Sequence, residues 1–345
     1  MATELPPPTS ILATTATHLG VPPETPLALV PITGGGSDRC YFRLTGLPAD
    51  RPAVVVMAYS DARPDNPKFF PATETLAALD VAIPKVIGHD PEMRIAWIED
   101  LGETSLWHLR DDPWEQRAPC YEATLAEVAR LHRTAEGTLP ANHAAHLMGP
   151  FDADLYRWEQ AYFFEHLVSG FGGLEPAIVS QLAADPALAE LAASLADEPR
   201  VLVHRDFQSQ NVILCGDGRG STARRPFLID YQGMRWGLAE YDLASLIFDP
   251  YVTFPAGARD ELAHFHYRLL SRQEPFNTFA DRLRHCAIQR LMQALGAYAN
   301  LGINLGKPGF LAHIPAAIDR LLPLCQVEKL HPLGETLAAI RSSID

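Results

Sequence analysis

Three short apolar runs in the middle of the chain restrict the fold most. Val201-Leu202-Val203, Val212-Ile213-Leu214 and Phe227-Leu228-Ile229 each read as a brief buried strand. Between the first two stands His204-Arg205-Asp206-Phe207-Gln208-Ser209-Gln210-Asn211, and directly after the third comes Asp230-Tyr231-Gln232-Gly233. Asp and Asn also favour plain turns. Here apolar strands bracket them on both sides, so Asp206, Asn211 and Asp230 are expected at strand ends, facing a common cleft.

The spacing has a chemical meaning. The first polar segment fits H-R-D-x-x-x-x-N, the catalytic-loop pattern of kinases, and Asp230 follows where kinases carry a metal-binding aspartate. Phosphoryl transfer needs positioning and charge neutralisation more than covalent chemistry. In that scheme Asp206 is the base that orients an acceptor hydroxyl. Asn211 offers an amide oxygen and Asp230 a carboxylate to magnesium, a cation that prefers oxygen ligands. ATP and Mg2+ are therefore the expected cofactors, and Gln208, beside the base, is a candidate substrate contact.

Bulk properties narrow the partners. The chain has 345 residues, 47% of them hydrophobic and 20% charged, as in an ordinary globular enzyme. A formal net charge of −14 argues against broad binding to nucleic acid or to anionic membranes. It is compatible with a cationic or neutral acceptor, and it also aids solubility. The five cysteines form no C-x-x-C pair, which points to free thiols rather than a disulfide framework or zinc site. The start, Met-Ala-Thr-Glu-Leu-Pro-Pro-Pro, lacks the basic and apolar regions of a signal peptide, so a cytoplasmic location is expected. The sequence is silent on oligomeric state.

Along the chain, residues 1–102 read as a small β-rich lobe and residues 103–345 as a larger helical one. Strands are expected at 27–32, 41–44, 53–57, 86–88 and 94–98, with a helix at 69–79 and a hinge at Glu99-Asp100-Leu101-Gly102. Gly34-Gly35-Gly36-Ser37 lies between the first two strands. Glycines there would let backbone N–H groups approach phosphate oxygens, although such a run also serves as a simple hairpin turn. Helical character is expected from Pro119 onward, at 240–246, at 282–301 and at 310–322. His132 falls on an apolar helix face, where a packed histidine is commoner than a ligand. Trp158, Tyr162, Phe163, Phe164 and His166 form an aromatic-rich stretch that suits either core or an acceptor pocket.

Taken in order, the glycine turn, His204-Arg205-Asp206 with Asn211, Asp230 and Glu240-Tyr241-Asp242-Leu243-Ala244 resemble the aminoglycoside phosphotransferase family. Residues 34–43, Val55-Val56-Met57, residues 204–211 and residues 289–299 resemble more narrowly the anomeric kinases that phosphorylate N-acetylmuramate and N-acetylglucosamine in bacterial cell-wall recycling. The resemblance spans nearly the whole chain. It implies an α+β, bilobal protein-kinase-like fold and an ATP-dependent kinase acting on the anomeric hydroxyl of an amino sugar. It further implies Asp206 as base, Asn211 and Asp230 at magnesium, and Asp242 bracing the catalytic loop. Kinases usually place a lysine on the third strand to hold phosphates, but here that position holds Met57. Arg39, Arg43 and Lys68 are the candidate replacements, with Arg43 and the glycine turn taken as nucleotide contacts. Glu74 stands where the lysine's glutamate partner would be, or is simply a solvated charge. Two alternatives stay open: a different acceptor (an aminoglycoside, a choline-like amine or an amino-acid alcohol), or a nucleotide-binding pseudokinase.

Overall fold

The computed structural model describes residues 5–22, 24–32, 39–60, 66–216 and 224–344. The glycine turn at Gly34, Gly35, Gly36 and Ser37 therefore lies outside the described residues. An antiparallel sheet of five strands comes first: β1 (Ala28–Ile32), β2 (Cys40–Thr45), β3 (Val54–Ala58), β4 (Val86–Asp90) and β5 (Ile95–Glu99), in spatial order β1-β2-β3-β5-β4. Alternation along β3 sorts its side chains to two faces. Val54, Val56 and Ala58 pack with Trp97 and with Ile11 of helix α1 (Pro8–Leu19). Met57 and the following Tyr59 join Phe69, Ala72 and Leu76 of helix α2 (Phe69–Ala78). On the outer face the approach is close. His18 stacks on Trp97 at 3.8 Å, and a Cβ at Gly88 would lie 2.4 Å from the His18 ring.

After β5 the chain becomes mainly helical. The helices are α3 (Trp114–His132), α4 (Ala141–Ala144), α5 (Ala153–Phe163), α6 (Pro176–Ala183), α7 (Pro186–Ala196), α8 (Ala239–Ile247), α9 (Ala258–Leu269), α10 (Phe276–Ala299), α11 (Ile314–Val327) and α12 (His331–Ser342). Helix α10 is the axis, packed by α5, α8 and α11. Its buried residues run from Phe279 through Ile288, Leu291 and Leu295 to Ala299. One apolar cluster continues from Met57 and Phe69 to Leu337, so α2 joins the sheet region to the helical region through a shared core. No helix among the described residues is long and apolar enough to cross a membrane.

Four strands remain. β6 (Val201–Val203) pairs antiparallel with β9 (Arg235–Gly237), and β7 (Val212–Gly216) pairs with β8 (Arg224–Leu228). The three apolar runs are thus strands, as expected. The partner of β6, β9, has no apolar signature, because Arg235 sits in it, and the sequence reading missed it. Helix α3 starts at Trp114 rather than Pro119, since a proline in the second turn removes only one backbone bond. The last long helices also shift: α10 begins at Phe276, before the expected 282, and α11 at Ile314, after the expected 310, with a short 3-10 turn over Pro308–His313.

Candidate active site

The catalytic-loop segment joins β6 to β7 and is held from beneath by Asp242 of α8. The buried Asp242 carboxylate accepts the backbone N–H of His204 at 2.7 Å and of Arg205 at 2.8 Å. It also accepts from His132 Nε2 at 3.0 Å, and His132 Nδ1 meets His266 Nε2 at 3.0 Å. His132 is thus a packed core histidine, and burial pushes the pKa of His266 well below the ordinary value, leaving that ring neutral. Asp249 grips the far side of the loop, accepting from Ser209 N at 2.9 Å and Ser209 Oγ at 2.5 Å. His204 Nε2 reaches the Ile229 carbonyl at 3.0 Å, tying the loop to the residue before Asp230. These buried bonds hold Arg205 at φ 81°. That is a left-handed conformation costing a non-glycine residue of the order of 1–3 kcal/mol.

Asp206, Asn211 and Asp230 lie on segments joined by hydrogen bonds. Asn211 Nδ2 donates to the Asp206 carbonyl at 2.8 Å, so the amide oxygen is what the side chain has left to offer. Ile229 N donates to the Asn211 carbonyl at 3.0 Å, which sets Asp230 next to it. The Asp206 carboxylate meets Arg205 Nη1 at 2.5 Å and Arg290 Nη2 at 3.8 Å. Burial alone would raise its pKa, but the two guanidiniums outweigh burial and hold it below the usual carboxylate range. Asp206 is therefore ionised at neutral pH. Gln208 is half-buried and shapes the loop by its backbone: its N–H donates to Asp206 O, and its carbonyl accepts from Asn211 N, both at 2.9 Å.

Of the cations considered as replacements for the strand lysine, one reaches the Asp230 carboxylate. Arg39 Nη2 pairs with Asp230 Oδ1 at 2.7 Å, with side chains 2% and 38% exposed respectively. Gln232 Nε2 also donates to that oxygen at 3.0 Å. Arg43 instead bridges β2 to the segment after β5, bonding Asp100 at 2.5 Å and 3.1 Å and also Glu103. Lys68 donates to the carbonyls of His146 and Leu147 at 2.9 Å and 2.8 Å. Met57 is buried in the sheet–α2 core, and Glu74 is exposed, so no charged strand–helix link forms between them. A neutral link stands close by: Thr73 Oγ1 and the Tyr231 hydroxyl are 2.8 Å apart, and Phe69 stacks on Tyr231 at 5.5 Å.

Several residues at the site escaped the sequence reading. The aromatic stretch divides. Phe163 and Phe164 are core, whereas Trp158 is 54% exposed and stacks outward on Tyr162. Between them Glu159 turns inward. It accepts from Tyr241 OH at 3.0 Å and from Gln289 Nε2 at 3.0 Å. Arg290 donates to Ser245 Oγ at 2.8 Å while reaching toward Asp206. The other arginines early in α10 are engaged elsewhere: Arg282 with Glu240 and Glu274, Arg284 with Glu328 and Asp281. The adjacent Gln289-Arg290 pair was the available signal, because two long polar residues buried side by side in a core helix need partners.

Comparison with known proteins agrees with this arrangement. Residues 28–276 match the family described as the phosphotransferase enzyme family. A protein named N-acetylmuramate/N-acetylglucosamine kinase from Pseudomonas aeruginosa is 26% identical over 324 residues, 91% of this chain and 89% of that one. One of the same name from Neisseria meningitidis serogroup B is 27% identical over 294 residues, 82% and 81% of the two chains. Among solved structures, a choline/ethanolamine kinase family protein from Mesorhizobium loti superposes with a TM-score of 0.60 at 16% identity, covering 96% of this chain and 99% of that one. The gentamicin-bound aminoglycoside phosphotransferase APH(2")-IIa gives 0.58 at 12% identity, covering 92% and 97%. These structural likenesses establish a shared fold, the kinase-like α+β arrangement of a five-stranded sheet region and a helical region.

Proposed function

Since the chain belongs to the phosphotransferase enzyme family, we propose that it transfers the γ-phosphoryl group of ATP to the anomeric hydroxyl of N-acetylmuramate or N-acetylglucosamine. The relatives of that name, matched over most of both chains, carry this reading over other acceptors. The surroundings of Asp206 favour it too. Two arginines flank that carboxylate, where a polycationic acceptor such as an aminoglycoside would meet repulsion.

Asp206 aligns the acceptor hydroxyl and takes its proton. With its pKa held below the ordinary range it is a weak base. Proton transfer to it becomes favourable only as the oxygen bonds to phosphorus. A hemiacetal hydroxyl is more acidic than a simple alcohol and suits such a base, so alignment contributes most of the acceleration. Asn211 and Asp230 are the residues that would hold magnesium. One presents an amide oxygen and the other a half-exposed carboxylate, the donor types this ion prefers. Bound there, magnesium neutralises phosphate charge. Arg39 takes the part of the absent strand lysine: paired with Asp230, it stands ready to turn to the phosphates once the carboxylate has another partner.

The test is turnover of ATP and magnesium with each sugar, followed by identification of the product. An acid-labile, alkali-stable sugar 1-phosphate is expected, and Asp206→Asn should lower the rate by roughly 10²–10⁴-fold. Phosphate found only on a non-anomeric hydroxyl would overturn the regiochemistry. Wild-type rates for Asp206→Asn would remove it as the base.

A further inference from the structure

A third arginine, Arg235, is linked to the Asp206 carboxylate through Gly233 and has no part in the chemistry described so far. Arg235 lies in β9, opposite Val203 in the register with β6, so its backbone runs alongside the residue that leads into His204-Arg205-Asp206. It is 8% exposed. Its Nε donates to the Gly233 carbonyl at 3.2 Å. Gly233 lies against the reacting carboxylate: a Cβ there would sit 3.8 Å from Asp206 Oδ2 and 3.5 Å from Arg205 Cδ. The Arg235 guanidinium lies over the Phe151 ring at 5.0 Å. That ring is itself buried, so this contact supplies a dry wall rather than a counter-ion.

What Arg235 lacks is an anion. Arg205 is bonded to Asp206, and Arg290 is close to the same carboxylate. Arg282 and Arg284 each hold a carboxylate of their own. Among the described residues no carboxylate lies within ion-pair distance of Arg235, and its Nη1 and Nη2 make no hydrogen bond. Burial lowers its pKa, and repulsion from Arg205 lowers it further. A chain of net charge −14 thus sets Arg205 and Arg290 at one carboxylate and Arg235 within electrostatic reach of it, with Glu159 already hydrogen-bonded to Tyr241 and Gln289. A planar guanidinium fork, largely buried and anchored at Nε, matches a carboxylate through its two terminal nitrogens.

We propose that Arg235 is a specificity-determining residue of the acceptor site, which binds a carboxylate carried by the sugar close to its reacting hydroxyl. This rests on the amino-sugar reading above. Of the two sugars considered there, N-acetylmuramate carries a carboxylate on its lactyl ether and N-acetylglucosamine has none. Arg235 favours the first of them. The ion pair forms on acceptor binding and persists through transfer, so it acts on KM more than on kcat.

The experiment compares both sugars, and the neutral methyl ester of N-acetylmuramate, with wild type, Arg235→Gln and Arg235→Lys. Expected is a wild-type preference for free N-acetylmuramate over its ester. In Arg235→Gln, kcat/KM for the free acid should fall roughly 30-fold or more through KM. The values for N-acetylglucosamine and the ester should change by less than about threefold, which also shows that the variant folds. Arg235→Lys keeps the charge but loses the fork, and should fall between the two. Equal losses on all three acceptors, or a loss in kcat alone, would overturn the proposal and make Arg235 a phosphoryl-group or structural residue. Equal wild-type efficiency on the acid and its ester would overturn it as well. If wild type turns over none of the three, the amino-sugar reading falls and this inference falls with it. That outcome is distinct from turnover without discrimination.

Discussion

The loop bearing Asp206 and the segment bearing Asp230 are neighbours, yet they are held by opposite means. The Asp206 loop is fixed from within the helical region by buried carboxylates: Asp242 beneath His204 and Arg205, and Asp249 beneath Ser209. The Asp230 segment is tied to that loop at Ile229 and is also held from across the cleft. Arg39 precedes β2 and Thr73 belongs to α2, both in the sheet region, and they hold Asp230 and Tyr231. Asp206 is therefore a rigid part of the larger lobe, whereas the Asp230 carboxylate reports where the smaller lobe stands. Protein kinases couple strand, helix and metal site through a lysine–glutamate pair. Here a buried methionine leaves that pair unmade, and the coupling moves to an arginine salt bridge and a neutral hydroxyl contact.

The contrast breaks most severely at Asp242. Replacing it with alanine would orphan two buried backbone N–H groups and the His132 ring, and would release Arg205 from its left-handed conformation. A loss of about 3–5 kcal/mol in unfolding free energy is expected. Denaturant melts would measure it, and activity should fall with the folded fraction. A loss under about 1 kcal/mol would mean that the loop is not anchored from the helical side.

Arg39→Met tests the other side. It removes a charge-assisted bond worth about 1.5–3 kcal/mol, but one made to a half-exposed carboxylate across the cleft. The expected effect is on nucleotide use: an apparent KM for ATP raised roughly tenfold or more, with the sugar KM little changed. Steady-state kinetics varying each substrate in turn would decide. An unchanged KM for ATP would reduce Arg39 to a latch that only closes the cleft.

How much of this contrast was legible in the sequence follows from the same physics. The Asp206 loop could be read because its parts are local. A polar segment between apolar runs, with Asp242 in a compact Glu-Tyr-Asp-Leu-Ala helix start, is visible within about forty residues. The bridge across the cleft could not. Thr73–Tyr231 joins positions 158 residues apart, and Arg39–Asp230 joins positions 191 apart. Neither pairing leaves a periodic trace. Arg43 and Lys68 were equal candidates by residue type, and only the register of β2 and the approach of the 146–147 carbonyls separate them from Arg39. Arg235 was hidden for another reason: an arginine in a three-residue strand carries no strand signal, so both β9 and the charge it delivers went unread.

The smallest effect is the most diagnostic of coupling between lobes. Thr73 Oγ1 bonds both the Phe69 carbonyl and the Tyr231 hydroxyl, so Thr73→Val preserves shape and removes the bridge. The Tyr231 hydroxyl is left in a buried setting, and the expected cost is about 1 kcal/mol. Tyr231→Phe removes the other half while keeping the stack on Phe69 at 5.5 Å. If the contact is a genuine link, the double variant should cost less than the sum of the single ones, with a coupling energy of about 0.5–1.5 kcal/mol in a double-mutant cycle of unfolding free energies. The coupling should also appear as a KM for ATP raised twofold to threefold in each single variant and no further in the double one, because the lobes lose one shared contact and not two. Strictly additive stabilities would show that Thr73 and Tyr231 act separately, and would leave Arg39 to connect the Asp230 segment to the sheet.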